Sequence, residues 1–99
     1  MTEDSQPTFR VKTPRGTEVF GVIEALLGSN RFRVRCSDNK IRICRLPGRM
    51  RKRKWIKERD IVIIKPWEIQ SERSGDVVWH YSVTEASWLR RKGVFTMQL

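Results

Sequence analysis

A run of basic residues that ends in a tryptophan has the clearest chemistry in this sequence. Five of the six residues from Arg49 to Lys54 are Lys or Arg, and Trp55 follows directly. Lys and Arg make the salt-sensitive contacts to phosphate groups, and an indole ring can stack on an unpaired base. The run therefore predicts binding to a nucleic acid.

Positive charge is concentrated in the middle of the chain. The 99 residues include 21 Lys or Arg and 11 Asp or Glu, for a formal net charge of +10. Between Arg31 and Arg59 there are thirteen basic residues against only Asp38 and Glu58. Such a chain repels itself, and a polyanionic partner would relieve that repulsion. The alternative is a basic surface that serves only solubility, which would leave the clustering unexplained.

The large apolar side chains near this run have more than one possible role. Trp55 could stack on a base or anchor the loop in the core, and the sequence leaves both open. We expect Met50 to pack beneath the loop. Trp79 and Trp88 are expected in the core or at its rim, whereas the position of Trp67 is undecided.

Other classes of site find little support. Cys36, Cys44 and His80 cannot complete a four-ligand zinc site, so we expect two free, partly buried thiols, no metal and no cofactor. The chain has no phosphate loop, nucleophile elbow or paired carboxylates, so no catalytic residue is predicted. It also has no apolar run typical of a membrane span or secretory signal. These features predict a cytoplasmic protein that is not an enzyme.

Strand patterns dominate the chain. We predict a flexible N-terminal tail over residues 1–17, a barrel over 18–83, and a C-terminal helix with a short tail over 84–99. The predicted strands span residues 19–27, 31–36, 41–46, 61–64 and 77–83. Thr84 is the expected N-cap of a helix over 85–92, and Gly93 suits its C-terminal end. The fold class is therefore all-β with a small C-terminal helix, in which five strands close a small barrel.

The second and third strands form a hairpin whose register can be predicted. If Asp38 and Asn39 alone form the turn, Arg35 lies opposite Arg42. All apolar side chains then share one face, and the other face carries five cations: Arg31, Arg33, Arg35, Lys40 and Arg42. Like charges directly opposite each other are unfavourable, so a bound phosphate backbone is the expected reason for this face.

Three stretches, residues 32–36, 43–56 and 60–66, resemble translation initiation factor 1A. The likeness covers roughly residues 17 to 95. Its most specific part is Gly48-Arg49-Met50-Arg51-Lys52 followed by Trp55-Ile56. The resemblance implies an OB-fold (oligonucleotide-binding) barrel that binds rRNA in the decoding A site of the small ribosomal subunit.

The resemblance also assigns roles to individual positions. The loop motif carries over to Arg49, Arg51, Lys52, Arg53 and Trp55, and the barrel face to Arg33, Arg35 and Arg42. Lys40 and Lys54 join the predicted RNA site because they extend the same charged surface. The chain lacks the long basic and acidic tails of eukaryotic members, which points to an archaeal type. Asn39 and Arg59 stand where many relatives have Gly, so the two turns are expected to differ locally.

The main hypothesis is an initiation factor that binds A-site rRNA and assists initiator tRNA placement and start-site selection. Its expected partners are the small-subunit rRNA and other initiation factors on the subunit, with a monomeric chain when free. The alternative is a small basic DNA-binding chromatin protein. A nuclease is a third possibility, disfavoured because the sequence shows no carboxylate cluster.

Overall fold

Five strands close into a barrel in the order β1-β2-β3-β5-β4. The computed structural model describes residues 11–50 and 55–99. All neighbouring strands are antiparallel except β3 and β5, which run parallel. The elements are β1 (Val19–Gly28), β2 (Arg31–Cys36), β3 (Ile41–Arg45), a 3₁₀ turn (Gly48–Met50), β4 (Ile61–Pro66), β5 (Ser74–His80) and α1 (Val83–Arg91). The predicted five-stranded barrel with one C-terminal helix is confirmed, although β5 begins three residues earlier than expected.

The long strand β1 closes the barrel because it pairs with two neighbours. Its first residues pair with β4 and its later residues pair with β2, and the two pairings overlap at Gly21 and Val22. A Cβ atom at Gly21 would lie 2.4 Å from Cγ1 of Val34 and 3.1 Å from Cγ1 of Ile64. Glycine at this position therefore lets β2 and β4 approach each other inside the barrel.

The apolar residues form two clusters, one inside the barrel and one on its outer side. The inner cluster contains Ile23, Phe32, Val34, Cys36, Cys44, Leu46, Ile56, Val62, Ile64 and Val77. The outer cluster joins β1 and β4 to α1 and the C-terminal segment, through Val22, Ile61, Ile63, Tyr81, Leu89 and Phe95. The continuous apolar run of β4 follows from this arrangement, because both faces of the strand are buried.

The predicted hairpin register is wrong by one residue. Arg35 lies opposite Ile41 rather than Arg42, and Val34 lies opposite Arg42. The N–H of Cys36 donates to the carbonyl of Lys40 at 2.8 Å, so three residues rather than two form the loop. The third of them, Asn39, has a φ of 69°. A one-residue slip turns every side chain of β3 to the other face, so Arg42 points inward and Ile41 points outward.

Both positions at which relatives were expected to have glycine use the left-handed backbone. Asn39 has a φ of 69° and Arg59 a φ of 74°. This is the conformation that glycine adopts most readily, and Asn tolerates it better than most residues. The two replacements therefore do not by themselves require a different turn.

The helix begins two residues before its predicted start. Ser82 rather than Thr84 is the N-cap, and its hydroxyl accepts a hydrogen bond from the N–H of Glu85 at 3.1 Å. The carboxylate of Glu85 accepts in return from the N–H of Ser82 at 2.9 Å, which completes a capping box. At the other end Gly93 has a φ of 74°, so its predicted terminal position is confirmed.

The segment that precedes β1 already contacts the barrel at Val11. Val11 packs against the outer cluster, and the carbonyl of Lys12 accepts a hydrogen bond from the hydroxyl of Tyr81. These two residues of the predicted tail are therefore in contact with the barrel. Residues 1–10 of the predicted tail lie outside the described residues.

We predict that Asn39→Ala lowers the free energy of unfolding by about 1 kcal/mol, because the left-handed backbone is less favourable for Ala than for Asn. For a domain of this size that corresponds to a Tm lower by about 4–8 °C. Asn39→Gly should be at least as stable as the wild type. Thermal unfolding followed by circular dichroism measures both, and equal stability of the Ala and Gly variants would contradict the proposed role of this turn.

Candidate nucleic-acid interface

The outer surface of β2 and β3 combines cations with apolar side chains. Arg31 and Arg33 of β2 and Arg45 of β3 are exposed there, and Arg35 is half-buried. Between them lie two exposed isoleucines, Ile41 and Ile43. We call these four arginines and two isoleucines the cationic face. Arg33 and Arg35 of the predicted site lie on this face. Where Arg42 was expected, the exposed side chains of β3 are Ile41 and Ile43.

Glu24 holds two arginines of the cationic face in position. Its carboxylate lies 3.6 Å from Nε of Arg33 and 3.4 Å from Nε of Arg35. Arg35 also donates to the backbone carbonyl of Gln98. Glu24 lies at a bulge of β1, and its carboxylate partly neutralises the charges of the two arginines. These partly exposed pairs orient the guanidinium groups more than they stabilise the fold.

Arg42 does not lie on the exposed face, which corrects its predicted position. Only 3% of its surface is exposed. Its Nη1 and Nη2 donate to the carboxylate of Asp38 at 3.0 and 2.8 Å, and its Nε donates to the carbonyl of Ser71 at 2.6 Å. Arg42 therefore ties the β2–β3 turn to the loop between β4 and β5, and its charge is used inside the protein.

The Arg42–Asp38 pair also changes the acidity of both groups. Hydrogen bonds from the guanidinium lower the pKa of Asp38 below its usual value, and the carboxylate in turn raises the pKa of Arg42. The neighbouring Lys40 is half-buried at the end of the turn, where its N–H donates to Asp38 at 3.3 Å. Of the two predicted site residues here, Lys40 retains partial exposure and Arg42 does not.

A second aromatic position lies at the β3–β5 edge of the cationic face. The guanidinium of Arg45 lies 5.2 Å from the ring centroid of Trp67, and Nε1 of Trp67 donates to Asp76 at 3.0 Å. Nε of Arg45 lies 3.6 Å from the same carboxylate. The three side chains hold each other, and 37% of Trp67 remains exposed. This arrangement can offer a preformed platform to a base.

Trp55 is exposed, which favours stacking over anchoring. It is 88% exposed, whereas the adjacent Ile56 is 7% exposed and belongs to the inner cluster. Met50 packs against that cluster as predicted. Met50 and Ile56 therefore anchor the basic run of residues 49–55, which we call the basic loop. Arg49 is exposed in the 3₁₀ turn, and the predicted site residues Arg51, Lys52, Arg53 and Lys54 lie outside the described residues.

Trp55 and the cationic face meet at a shallow groove of about 250 Å³. Trp55 and Ile56 line one part of it, and Leu26, Arg31 and the β1–β2 turn line another. An exposed indole and an exposed guanidinium beside one groove suit an RNA strand, because one can stack on a base and the other can bind a phosphate.

His80, Cys36 and Cys44 have structural surroundings. Nε2 of His80 lies 2.8 Å from Asp60, which also accepts from the N–H of Lys57 at 2.9 Å and so fixes the chain that leaves the basic loop. Cys36 and Cys44 are free and buried as predicted, and burial raises the pKa of both thiols.

Within residues 11–50 and 55–99, no group of three or more His, Cys, Asp or Glu side chains could hold a metal ion. No helix among these residues is long and apolar enough to span a membrane.

Sequence reasoning missed several residues of this surface. The roles of Glu24, Arg45, Trp67 and Asp76 depend on contacts between different strands or between a strand and a neighbouring loop. Arg31 was placed on the charged face but was not included in the predicted site. The alternation of β2 could have indicated it, because Arg31, Arg33 and Arg35 are spaced by two residues.

Comparison with known proteins gives one consistent family. The family model described as "Translation initiation factor 1A / IF-1" matches residues 6–98. The translation initiation factor 1A of Methanothermobacter thermautotrophicus is 52% identical over 89 residues, which cover 90% of each chain. That of Pyrococcus abyssi is 45% identical over 95 residues, which cover 96% of this chain and 84% of the relative.

A solved structure supports the same fold. The solution structure of the bacterial translation initiation factor 1 from the Wolbachia endosymbiont of Brugia malayi has a TM-score of 0.52 and 26% sequence identity. The match covers 68% of this chain and 79% of that one. Since that neighbour is an OB-fold protein, the predicted OB-fold barrel is confirmed.

We predict that the stability gained from Asp38 depends on pH. A carboxylate whose pKa is lower in the folded chain than in the unfolded chain stabilises the fold fully above the unfolded value, about 4. That contribution is lost as the pH falls through the folded-state pKa. Asp38→Asn should therefore cost about 1 kcal/mol near pH 7, and the difference from wild type should shrink below about pH 4.

Urea unfolding at a series of pH values measures this difference. Glu72→Gln is the control. It removes an exposed carboxylate that has no hydrogen-bond or ion-pair partner among the described residues. A constant gap between Asp38→Asn and wild type from neutral to acidic pH would contradict the assigned role of the Arg42–Asp38 pair.

Proposed function

Because the chain belongs to the translation initiation factor 1A / IF-1 family, we propose that it binds rRNA at the A site of the small ribosomal subunit. There it assists initiator tRNA placement and start-site selection by occupying the site. It acts in the cytoplasm as a monomer that joins other initiation factors on the subunit. The observation that carries the proposal is the cationic face beside the exposed ring of Trp55.

The chemistry of the face fits folded rRNA. Arg31, Arg33 and Arg35 occupy alternate positions on one strand, so their guanidinium groups can follow a phosphate backbone. Arg51, Lys52, Arg53 and Lys54 add charge in the loop that ends at Trp55, and Lys40 extends the charged surface at the hairpin turn. Trp55 and Trp67 provide aromatic surfaces for unpaired bases.

Binding without turnover is the expected activity. The relatives are translation initiation factors, a family that is not enzymatic. The arrangement at His80 agrees with this, because its contact to Asp60 fixes the loop. A factor of this kind works by excluding other ligands from a site and by favouring one conformation of the subunit.

We predict that Trp55→Ala weakens binding to small ribosomal subunits by about 1–3 kcal/mol, which is the usual contribution of one stacked base. Trp55→Phe should retain most of the affinity, since its ring can still stack. Fluorescence anisotropy with a labelled chain measures all three affinities. If Trp55→Ala bound as tightly as wild type, Trp55 would have no stacking role.

We predict that Arg51→Gln with Arg53→Gln reduces the slope of log affinity against log salt by about 2, roughly one unit for each lost phosphate contact. Arg90→Gln with Arg91→Gln removes the same charge from α1 and is the matched control. The control should keep the wild-type slope, because α1 lies outside the proposed RNA site. An equal fall of the slope in both variants would indicate long-range attraction instead of phosphate contacts.

Chemical footprinting of the small subunit tests the site itself. The wild-type chain should protect A-site rRNA at a ratio of one chain per subunit, and excess duplex DNA should not compete. Protection elsewhere on the subunit would overturn the A-site assignment. Equal affinity for duplex DNA without saturation would instead indicate the chromatin-type alternative.

A further inference from the structure

A second cationic cleft lies on the outer side of β4 and β5, away from the cationic face. Its volume is about 790 Å³. Lys12 and Arg15, from the segment before β1, line one side, and Lys65 of β4 and Trp79 of β5 line the other. Arg49 of the 3₁₀ turn also contributes. None of the four arginines of the cationic face lines it.

The positive charge of this cleft is largely uncompensated. Four basic side chains face one acid, Glu18, whose carboxylate accepts a hydrogen bond from the backbone N–H of Arg15 at 3.0 Å. Among the described residues, the side chains of Arg15, Arg49 and Lys65 form no salt bridge. Arg33, Arg35 and Arg45 of the cationic face, by contrast, each lie beside a carboxylate. The uncompensated charge of the cleft therefore favours an anionic ligand.

An aromatic wall accompanies these charges. The ammonium of Lys12 lies 4.8 Å from the ring centroid of Trp79, and Ile63 and Val78 continue the apolar lining. Trp79 is half-buried, and within residues 11–50 and 55–99 its Nε1 has no hydrogen-bond partner. A ligand that combines phosphate with a planar base would use both the charged and the apolar parts of the cleft.

Arg49 connects the cleft to the proposed RNA site. It lines the cleft and is also the first residue of the basic loop. A strand that contacts the loop can therefore continue into the cleft without leaving a positively charged surface. The guanidinium groups of Arg15 and Arg49 suit phosphate, because their planar donors match its oxygen geometry.

We propose that this cleft is a second RNA site, which holds unpaired nucleotides of a strand that passes the basic loop. Arg15, Arg49 and Lys65 bind phosphates, and a base packs against the wall formed by Trp79 and Val78. The proposal rests on the proposed function, because it assumes that RNA occupies the basic loop. An acidic peptide would satisfy the charges but would leave the aromatic wall unused.

Titration of the ¹⁵N-labelled full chain with tetrauridylate tests the cleft directly. We expect the indole N–H signal of Trp79 and the amide signals of residues 12–15 to shift in a saturable way. Arg15→Gln with Lys65→Gln should lose these shifts while the remaining spectrum keeps the wild-type pattern, which shows that the variant is folded. Arg90→Gln with Arg91→Gln carries the same net charge and should keep the shifts.

Two other anions separate RNA from the alternatives. Inorganic phosphate and a hexaglutamate peptide are titrated at the same total charge as the oligonucleotide. Much smaller shifts of the Trp79 signal with both would support an RNA site. Equal shifts with either one would overturn it in favour of a site for free anions or acidic peptides. Shifts confined to β2, β3 and Trp55 on addition of tetrauridylate would also overturn it.

Small-subunit binding distinguishes this proposal from the proposed function. For Arg15→Gln with Lys65→Gln, the slope of log affinity against log salt should fall by about 2, while the A-site footprint is retained. A wild-type slope in this variant, with A-site protection intact, would show that the cleft is not an RNA site. The proposed function would be unaffected. Failure of the wild-type chain to protect the A site would refute the proposed function, and the titration would still decide the cleft.

Discussion

The buried guanidinium of Arg42 is the interaction on which the binding surface depends. A charge taken out of water is costly unless it is paired and hydrogen-bonded, and Arg42 meets both conditions through Asp38 and Ser71. These contacts tie the β2–β3 turn to the β4–β5 loop. They also decide which side chains of β3 face the RNA side, because the register of a strand determines its two faces together.

Either register of the hairpin would bury one arginine. The observed register buries Arg42, Cys44 and Leu46, whereas the alternative would turn Ile41, Ile43 and Arg45 inward. Hydrophobicity alone favours the alternative, since it buries two isoleucines. The observed register prevails because Asp38 and the carbonyl of Ser71 lie within reach of Arg42, while Asn39 accepts the left-handed backbone that a three-residue loop needs. The exposed isoleucines of the cationic face are a consequence of this choice.

The elements of the fold could be predicted from the sequence, but the contacts between them could not. Alternation in β2, the apolar run of β4 and the glycine after α1 indicated their elements, because these patterns are local. The register depended on the conformation of Asn39, which the residue type permits but does not require. The Trp67–Asp76 platform and the N-terminal wall of the cleft join residues that are distant in the chain or in separate strands, so no local pattern indicates them.

The outer cluster explains how so small a chain can keep two surfaces free for a polyanion. Val11, Leu89 and Phe95 cover the outer faces of β1 and β4, so the apolar surface there is buried by the chain itself. The charged side chains of the cationic face and of the cleft remain outside this packing. On the cationic face, carboxylates offset part of the repulsion among the arginines, and the groups are held in fixed positions. Among the described residues that line the cleft, Glu18 is the one carboxylate against four cations, so an anionic ligand would relieve the repulsion most there. The two surfaces thus favour RNA for different reasons, one through prearranged geometry and the other through unbalanced charge.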